Sequence, residues 1–261
     1  MNVRPKKRLG QNFLVDKNIQ KKIVRACEFK DSDIVLEIGS GYGELTKLLA
    51  GIVHQVFAVE IDPFLCESSK DNLKDFSNSR IINQDILKFD LKKYFHETEQ
   101  KIKVIGNIPY YISSPIIEHL IKFKDKIDNI FITTQKEFAL RMSANPGSKE
   151  YGSFSLFTQY YTEPKILFLI KKLSFYPAPK IDSALINMKV RQEPIVKVKD
   201  EKLFFKITRS AFNQRRKTLR NSLSNIIPAR KLEQFFSEYG IPCNIRPEDL
   251  SLQDFANLTN T

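Results

Sequence analysis

From Ile34 onward, short unbroken apolar runs alternate with longer segments whose apolar residues recur three and four apart. The first pattern predicts strands buried on both faces and the second predicts amphipathic helices. Strands are expected at Ile34–Ile38, Gln55–Val59, Arg80–Asn83, Lys101–Ile105 (with Gly106 as the stop) and Ile127–Thr134. Helices are expected between them: Glu44–Ala50, Pro63–Phe76, a segment opened by Ser114 and Pro115 that runs through Leu120, and Lys136–Met142. An earlier helix, Lys17–Cys27, has Asp16 as its cap and Ile19, Ile23, Val24 and Cys27 on one face. Strand and helix in alternation imply a doubly wound parallel sheet with a ligand crevice at the strand C-termini.

The pattern changes after Asn145-Pro146-Gly147 and Tyr151-Gly152. Ser153–Tyr161 has a helical pattern. Lys165–Leu173 and Ala184–Val190 then form two strands with no helix between them, joined by a stiff stretch containing Pro177 and Pro179. An antiparallel pair closing a parallel sheet departs from the dinucleotide dehydrogenases and suits the methyltransferase variant of the fold. Gln192–Glu201 reads as a linker, so domains are expected at 1–191 and 192–261. In the second, Lys202–Ser210, Arg215–Asn225 and Pro228–Tyr239 have helical patterns, and Pro242 and Pro247 interrupt the chain beyond them.

Charge adds a partner to this outline. The 261 residues carry a formal charge of +12, which favours a polyanion. The excess is clustered: nine Lys or Arg stand against two acids in the first thirty residues. The basic segment Lys6–Leu14, including Lys7 and Arg8, ends in Phe13 and Leu14, two apolar anchors that give it something to dock with. A second cluster, Arg215, Arg216, Lys217 and Arg220, lies at an expected helix start, where the helix dipole disfavours cations. Pairing with phosphates explains it better. Cys27, Cys66 and Cys243 are scattered and the three histidines lack ligand spacing, so no metal site is expected. With no signal-peptide pattern and no run long enough to span a membrane, a cytoplasmic protein is expected.

Candidate chemistry sits just beyond the strand ends. Gly39, Gly41 and Gly43 form G-x-G-x-G, in which the third glycine comes one position early for a dinucleotide fingerprint. Glu60 lies the right distance beyond them to take a ribose diol, and Asp85 follows the next strand, placed to contact a bound base. The fourth strand delivers Asn107-Ile108-Pro109-Tyr110, an amide oxygen, a carbonyl turn and an aromatic face suited to a flat, amine-bearing ring.

Taken with Lys7–Leu14, Phe175–Ser183 and Ala211–Leu223, these motifs resemble, over essentially the whole chain, the ribosomal RNA small-subunit adenine dimethyltransferase family. The resemblance implies a Rossmann-like class I S-adenosylmethionine-dependent methyltransferase, with a mostly parallel seven-stranded sheet ending in an antiparallel pair and a small all-α C-terminal domain. It implies S-adenosylmethionine as cofactor (S-adenosylhomocysteine as product), held by Asn12, Leu14, Gly39, Glu60, Asp85 and Asn107. The implied substrate is a pair of adjacent adenosines in the hairpin loop near the 3′ end of 16S rRNA, each methylated twice at N6 within the immature 30S subunit by a monomeric enzyme. On that basis Asn107 and a carbonyl of Ile108 or Pro109 are expected to hold the amine. Tyr110 and Phe175 are expected to sandwich the flipped base.

Overall fold

A computed structural model describes residues 5–214 and 217–261. The chain runs β1 (Phe13–Leu14), α1 (Lys17–Ala26), β2 (Ile34–Ile38), α2 (Glu44–Ala50), β3 (Gln55–Glu60), α3 (Pro63–Asn72), β4 (Ser79–Asn83), α4 (Leu91–Tyr94), β5 (Ile102–Asn107), α5 (Ser113–Ile121), β6 (Ile127–Gln135) and α6 (Lys136–Met142). It continues with α7 (Ser153–Tyr161), β7 (Thr162–Ile170), β8 (Phe175–Tyr176), β9 (Ser183–Val190), α8 (Glu201–Asn213), α9 (Leu219–Leu223), α10 (Ala229–Glu238) and α11 (Leu252–Asn260). Local chemistry sets several of these boundaries. The Asp16 carboxylate accepts from the backbone N–H groups of Asn18 and Ile19 to start α1. Asp62 caps α3 ahead of Pro63, and the helix ends at Asn72, short of the expected Phe76.

Seven strands form one sheet in the order β4-β3-β2-β5-β6-β9-β7. The pairs from β4 to β6 are parallel, and β9 runs antiparallel to β6. Strand order reverses between β2 and β5, so the crevice opens beyond Ile38 and Asn107. Gly106 allows that seam to close: a Cβ at this position would stand 2.9 Å from the Ile38 carbonyl oxygen. Ile23, Val35, Leu49, Val56, Ile105, Phe131 and Leu185 are all buried in the core between the sheet and the helices that include α1 and α2.

A two-stranded element was not anticipated. β1 pairs antiparallel with β8, Phe13 opposite Tyr176 and Leu14 opposite Phe175. The backbone N–H groups of Val15 and Asp16 also donate to the Ser174 carbonyl. The N-terminal segment is thus hydrogen-bonded in place.

By packing, the chain divides into one compact unit of residues 1–139 and 165–192 and another of residues 140–164 and 193–261, rather than at the expected 191/192 boundary. Aromatic packing draws α7 into the second unit. Tyr160 stacks on Phe204 at 5.2 Å between centroids, Phe157 meets Phe205 at 5.5 Å, and the Tyr161 hydroxyl donates to Glu201 at 2.6 Å. Two helical expectations change here. The helix expected at Arg215–Asn225 is the shorter α9, capped by the Thr218 hydroxyl, so Lys217 lies ahead of the helix rather than in it. α11 forms beyond Pro247, started by a reciprocal Ser251–Asp254 capping box. Among the described residues, no helix is long and apolar enough to cross a membrane.

Candidate active site

Glu60, Asp85 and Asn107 all reach one cleft of about 740 Å³, open to solvent, at the C-terminal edge of the sheet. It is also lined by Asn12, Phe13, Gly39, Gly41, Ile61, Ile86, Pro109 and Tyr110. A second hollow shares Phe13, Gly39, Gly41 and Asn107 with it and adds Leu14, Lys17, Glu37, Ser40 and Thr133. The glycine loop is what lets a ligand lie so close to the backbone. Gly39, Gly41 and Gly43 have φ of +76°, +57° and +82°, a region that side chains disfavour.

Acceptors line the cleft. Glu60 is buried, and its carboxylate accepts from the N–H of Gly41 (3.1 Å) and of Asp62 (2.9 Å). Burial raises its pKa, and those two backbone bonds offset part of the rise. Asp85 uses one oxygen to accept from the Leu87 N–H at 2.9 Å, which orients the carboxylate at the cleft wall. Deeper in, Glu37 is buried with Oε2 unpartnered, and the Ser40 and Thr46 hydroxyls are also unpartnered. Burial pushes the Glu37 carboxyl up to about 7; the nearby Thr46 hydroxyl, outside hydrogen-bond geometry, offsets part of this and the Glu60 charge adds to it. A buried polar cluster left open next to a hollow calls for a ligand with donors of its own.

The N-terminal segment straps this cleft. Asn107 Nδ2 donates to the Asn12 carbonyl at 2.8 Å, and Gln20 Nε2 donates to the Leu14 carbonyl at 2.7 Å. Lys6 Nζ reaches the buried Asp62 at 2.8 Å, and Gln11 Nε2 reaches its other oxygen at 3.4 Å. Burial works to raise the Asp62 pKa, but the bonds from Lys6 and Gln11 prevail and hold it below the usual value. Sequence reasoning missed Phe13 and Ile61 as cleft residues and Asp62 as the anchor of the strap. The acid two positions after Glu60 and the aromatic anchor before Leu14 were the available signals.

At the reaction end, the bond to Asn12 occupies the Asn107 amide nitrogen, and no donor among the described residues reaches its Oδ1. Tyr110 lines the cleft and its hydroxyl is anchored to Ser183 Oγ at 2.6 Å. Burial raises its pKa, with the Ser183 bond working the other way, so the phenol stays neutral. Phe175 departs from expectation. It is 3% exposed, packed in the core among Ile170, Phe131 and Leu185, and it does not line the cleft. Successive strand residues face opposite ways: Phe175 points inward with Leu14, and Tyr176, 52% exposed, shares the face of Phe13.

The cations expected to contact RNA differ in their surroundings. Arg8 is exposed, with its carbonyl accepting from the Tyr111 hydroxyl at 3.5 Å. Lys217 is exposed ahead of α9. Arg220 is engaged within its own unit, paired to Glu233 at 2.6 Å and lying over the Phe236 ring. Arg215, Arg216 and the Lys7 side chain lie outside the described residues. Among the described residues no group of His, Cys, Asp and Glu could hold a metal ion.

The model of the ribosomal RNA adenine dimethylase family matches residues 2–261. The chain belongs to that family. It is 43% identical to the ribosomal RNA small subunit methyltransferase A of Streptococcus gordonii, over 98% of this chain and 91% of that one. A dimethyladenosine transferase from Plasmodium falciparum has the same fold at TM-score 0.81 and 25% identity, over 94% of this chain and 95% of that one. The 23S rRNA methyltransferase ErmE superposes at TM-score 0.76 and 25% identity, over 95% and 98%. The fold is therefore the Rossmann-like class I methyltransferase fold, and the cofactor is S-adenosylmethionine.

Proposed function

We propose that this protein dimethylates N6 of two adjacent adenosines in the 3′-terminal hairpin loop of 16S rRNA, within the immature 30S subunit. The cleft suits the cofactor at both ends. Ile61 and Ile86 offer apolar walls for an adenine, Asp85 an acceptor for its amine, and Glu60 acceptors for a ribose diol. Glu37 Oε2 and Ser40 Oγ, otherwise unpartnered, suit the ammonium and carboxylate of the methionine end. Asn12 and Leu14 close the strap over it, and the Gly39 loop admits it. S-adenosylmethionine supplies a methyl group made electrophilic by its sulfonium.

The observation that carries the proposal is the orientation of Asn107. Its nitrogen is committed to Asn12, which leaves Oδ1 to accept one N–H of the target amine. The Ile108 carbonyl is the second acceptor, because the Pro109 carbonyl already takes the Ile112 N–H at 3.2 Å and the Ser113 hydroxyl at 3.4 Å. Adenine's exocyclic lone pair is delocalised into the ring, and two acceptors on its hydrogens make the pyramidal, nucleophilic amine less costly. Tyr110 provides one face for the flipped base, held by its Ser183 bond, and Pro109 shapes the turn between them. Tyr176, exposed and paired opposite Phe13, is the aromatic of β8 that is free to meet the RNA in place of the buried Phe175. Proximity and orientation are the main source of rate, and no side-chain base is needed.

A large-subunit substrate, as in ErmE's name, is the other reading. The 43–45% identity to relatives named for the small subunit, against 25% to ErmE, favours the small subunit. The test is Asn107→Ala acting on 30S subunits that lack the modification. Turnover should fall about a hundredfold or more, and near-normal turnover would remove the amine clamp.

A further inference from the structure

Helix α1 carries a row of cations that starts at the edge of the site and leads away from it. Lys17, Lys21 and Arg25 are exposed and spaced four apart, so they lie in line on one face. No acidic residue occurs in the helix. None of the ion pairs among the described residues involves any of the three. Neighbouring Lys22 lies over the Phe168 ring instead. As a stabilising device the row is weak, since only Arg25, in the last turn, is favoured by the helix dipole. Like charges four apart repel, and Lys17 stands at the first position of the helix, where the dipole disfavours a cation.

The location of the row gives it a use. Lys17 lines the hollow that also contains Asn107, Thr133 and Glu37, so the row begins at the reaction site and leads away from it. The opposite face of α1 is fixed: Ile23 and Val24 are buried, and Gln20 holds the strap through the Leu14 carbonyl. At the cleft end, Val15, Leu173 and Tyr176 are exposed apolar groups around the β1–β8 pair, with Lys172 beside them. Aromatic surface at the mouth and cations stepping away by about 6 Å per four residues match an unpaired strand, whose bases stack and whose phosphates come in series.

We propose that α1 is a phosphate rail for the unpaired loop strand beside the target adenosines, with Lys17, Lys21 and Arg25 each meeting one phosphate. This rests on the RNA substrate proposed above and adds a surface to it. The test compares wild type with the Lys21→Gln/Arg25→Gln variant, which leaves Lys17 at the hollow untouched. Binding of a labelled RNA hairpin with the adenosine pair in its loop is followed by fluorescence anisotropy across a salt series, with cofactor affinity measured by calorimetry. The slope of log affinity against log salt should shrink by about one to two, somewhat under one for each lost contact. Cofactor affinity should be unchanged, because Lys21 and Arg25 line neither hollow, and a Lys21→Arg/Arg25→Lys variant should bind like wild type. An unchanged slope, or a loss of cofactor affinity, would overturn the rail. Failure of wild type to methylate 30S subunits in a parallel assay would instead overturn the substrate assignment, while the salt slope still judges the rail.

Discussion

Replacing Glu37 by Gln should make the ligand-free protein more stable at neutral pH while weakening its hold on the cofactor. The carboxyl is buried with an unpartnered oxygen, and burial raises its pKa from 4.5 to about 7. Between those values the folded state holds a proton that the unfolded state has released. Stability therefore falls as pH rises from about 4.5 to about 7, and the penalty persists above that. Across that gap it amounts to about 3 kcal/mol, at about 1.4 kcal/mol per pH unit. Gln keeps the shape and does not titrate. Urea unfolding of both proteins without ligand should give similar stabilities near pH 4 and a variant more stable by up to about 3 kcal/mol at pH 8. Calorimetry at pH 8 should show cofactor affinity reduced about ten- to hundredfold, the usual loss when a charged hydrogen-bond partner is removed. A variant no more stable than wild type at pH 8, or one with full cofactor affinity, would refute the reasoning.

Further substitutions probe the seam, the base site and the strap. Gly106→Ala sets a Cβ 2.9 Å from the Ile38 carbonyl and should destabilise the protein by about 1–3 kcal/mol, seen as a lower Tm; an unchanged Tm would show that the seam can relax. Phe175→Ala should cost about 3–5 kcal/mol of stability as a core truncation, whereas Tyr176→Ala should leave stability nearly unchanged and raise KM for the RNA; the reverse pattern would restore Phe175 to the base site. Lys6→Ala breaks the bond to Asp62, and because Lys6 is 42% exposed the loss is under about 1 kcal/mol. Cofactor dissociation in stopped flow should speed up by roughly two- to fivefold, and no change would mean the strap does not gate release.

Much of the sheet was legible because its signals are local. Unbroken apolar runs marked the central strands, and Glu60, Asp85 and Asn107 could be aligned because each lies at the end of such a run. Asp16 announced α1 by its position alone. The hidden features depend on partners distant in sequence. The β1–β8 pair has two residues on each side, too few to show a period, and it joins Leu14 to Phe175. Without that register the inward turn of Phe175 and the outward turn of Tyr176 are not visible. Arg220 looked like a free cation until Glu233 and Phe236 were placed against it. α11 is signalled by Ser251 and Asp254 at capping-box spacing, although Pro247 just ahead interrupts the helical pattern.

The most direct test of the proposed function is mass spectrometry of 30S subunits that lack the modification, after incubation with purified protein and S-adenosylmethionine. Two adjacent N6,N6-dimethyladenosines near the 3′ end of the small-subunit rRNA are the predicted product. Unmodified 30S subunits, with methylation appearing instead on large-subunit rRNA incubated in parallel, would contradict it.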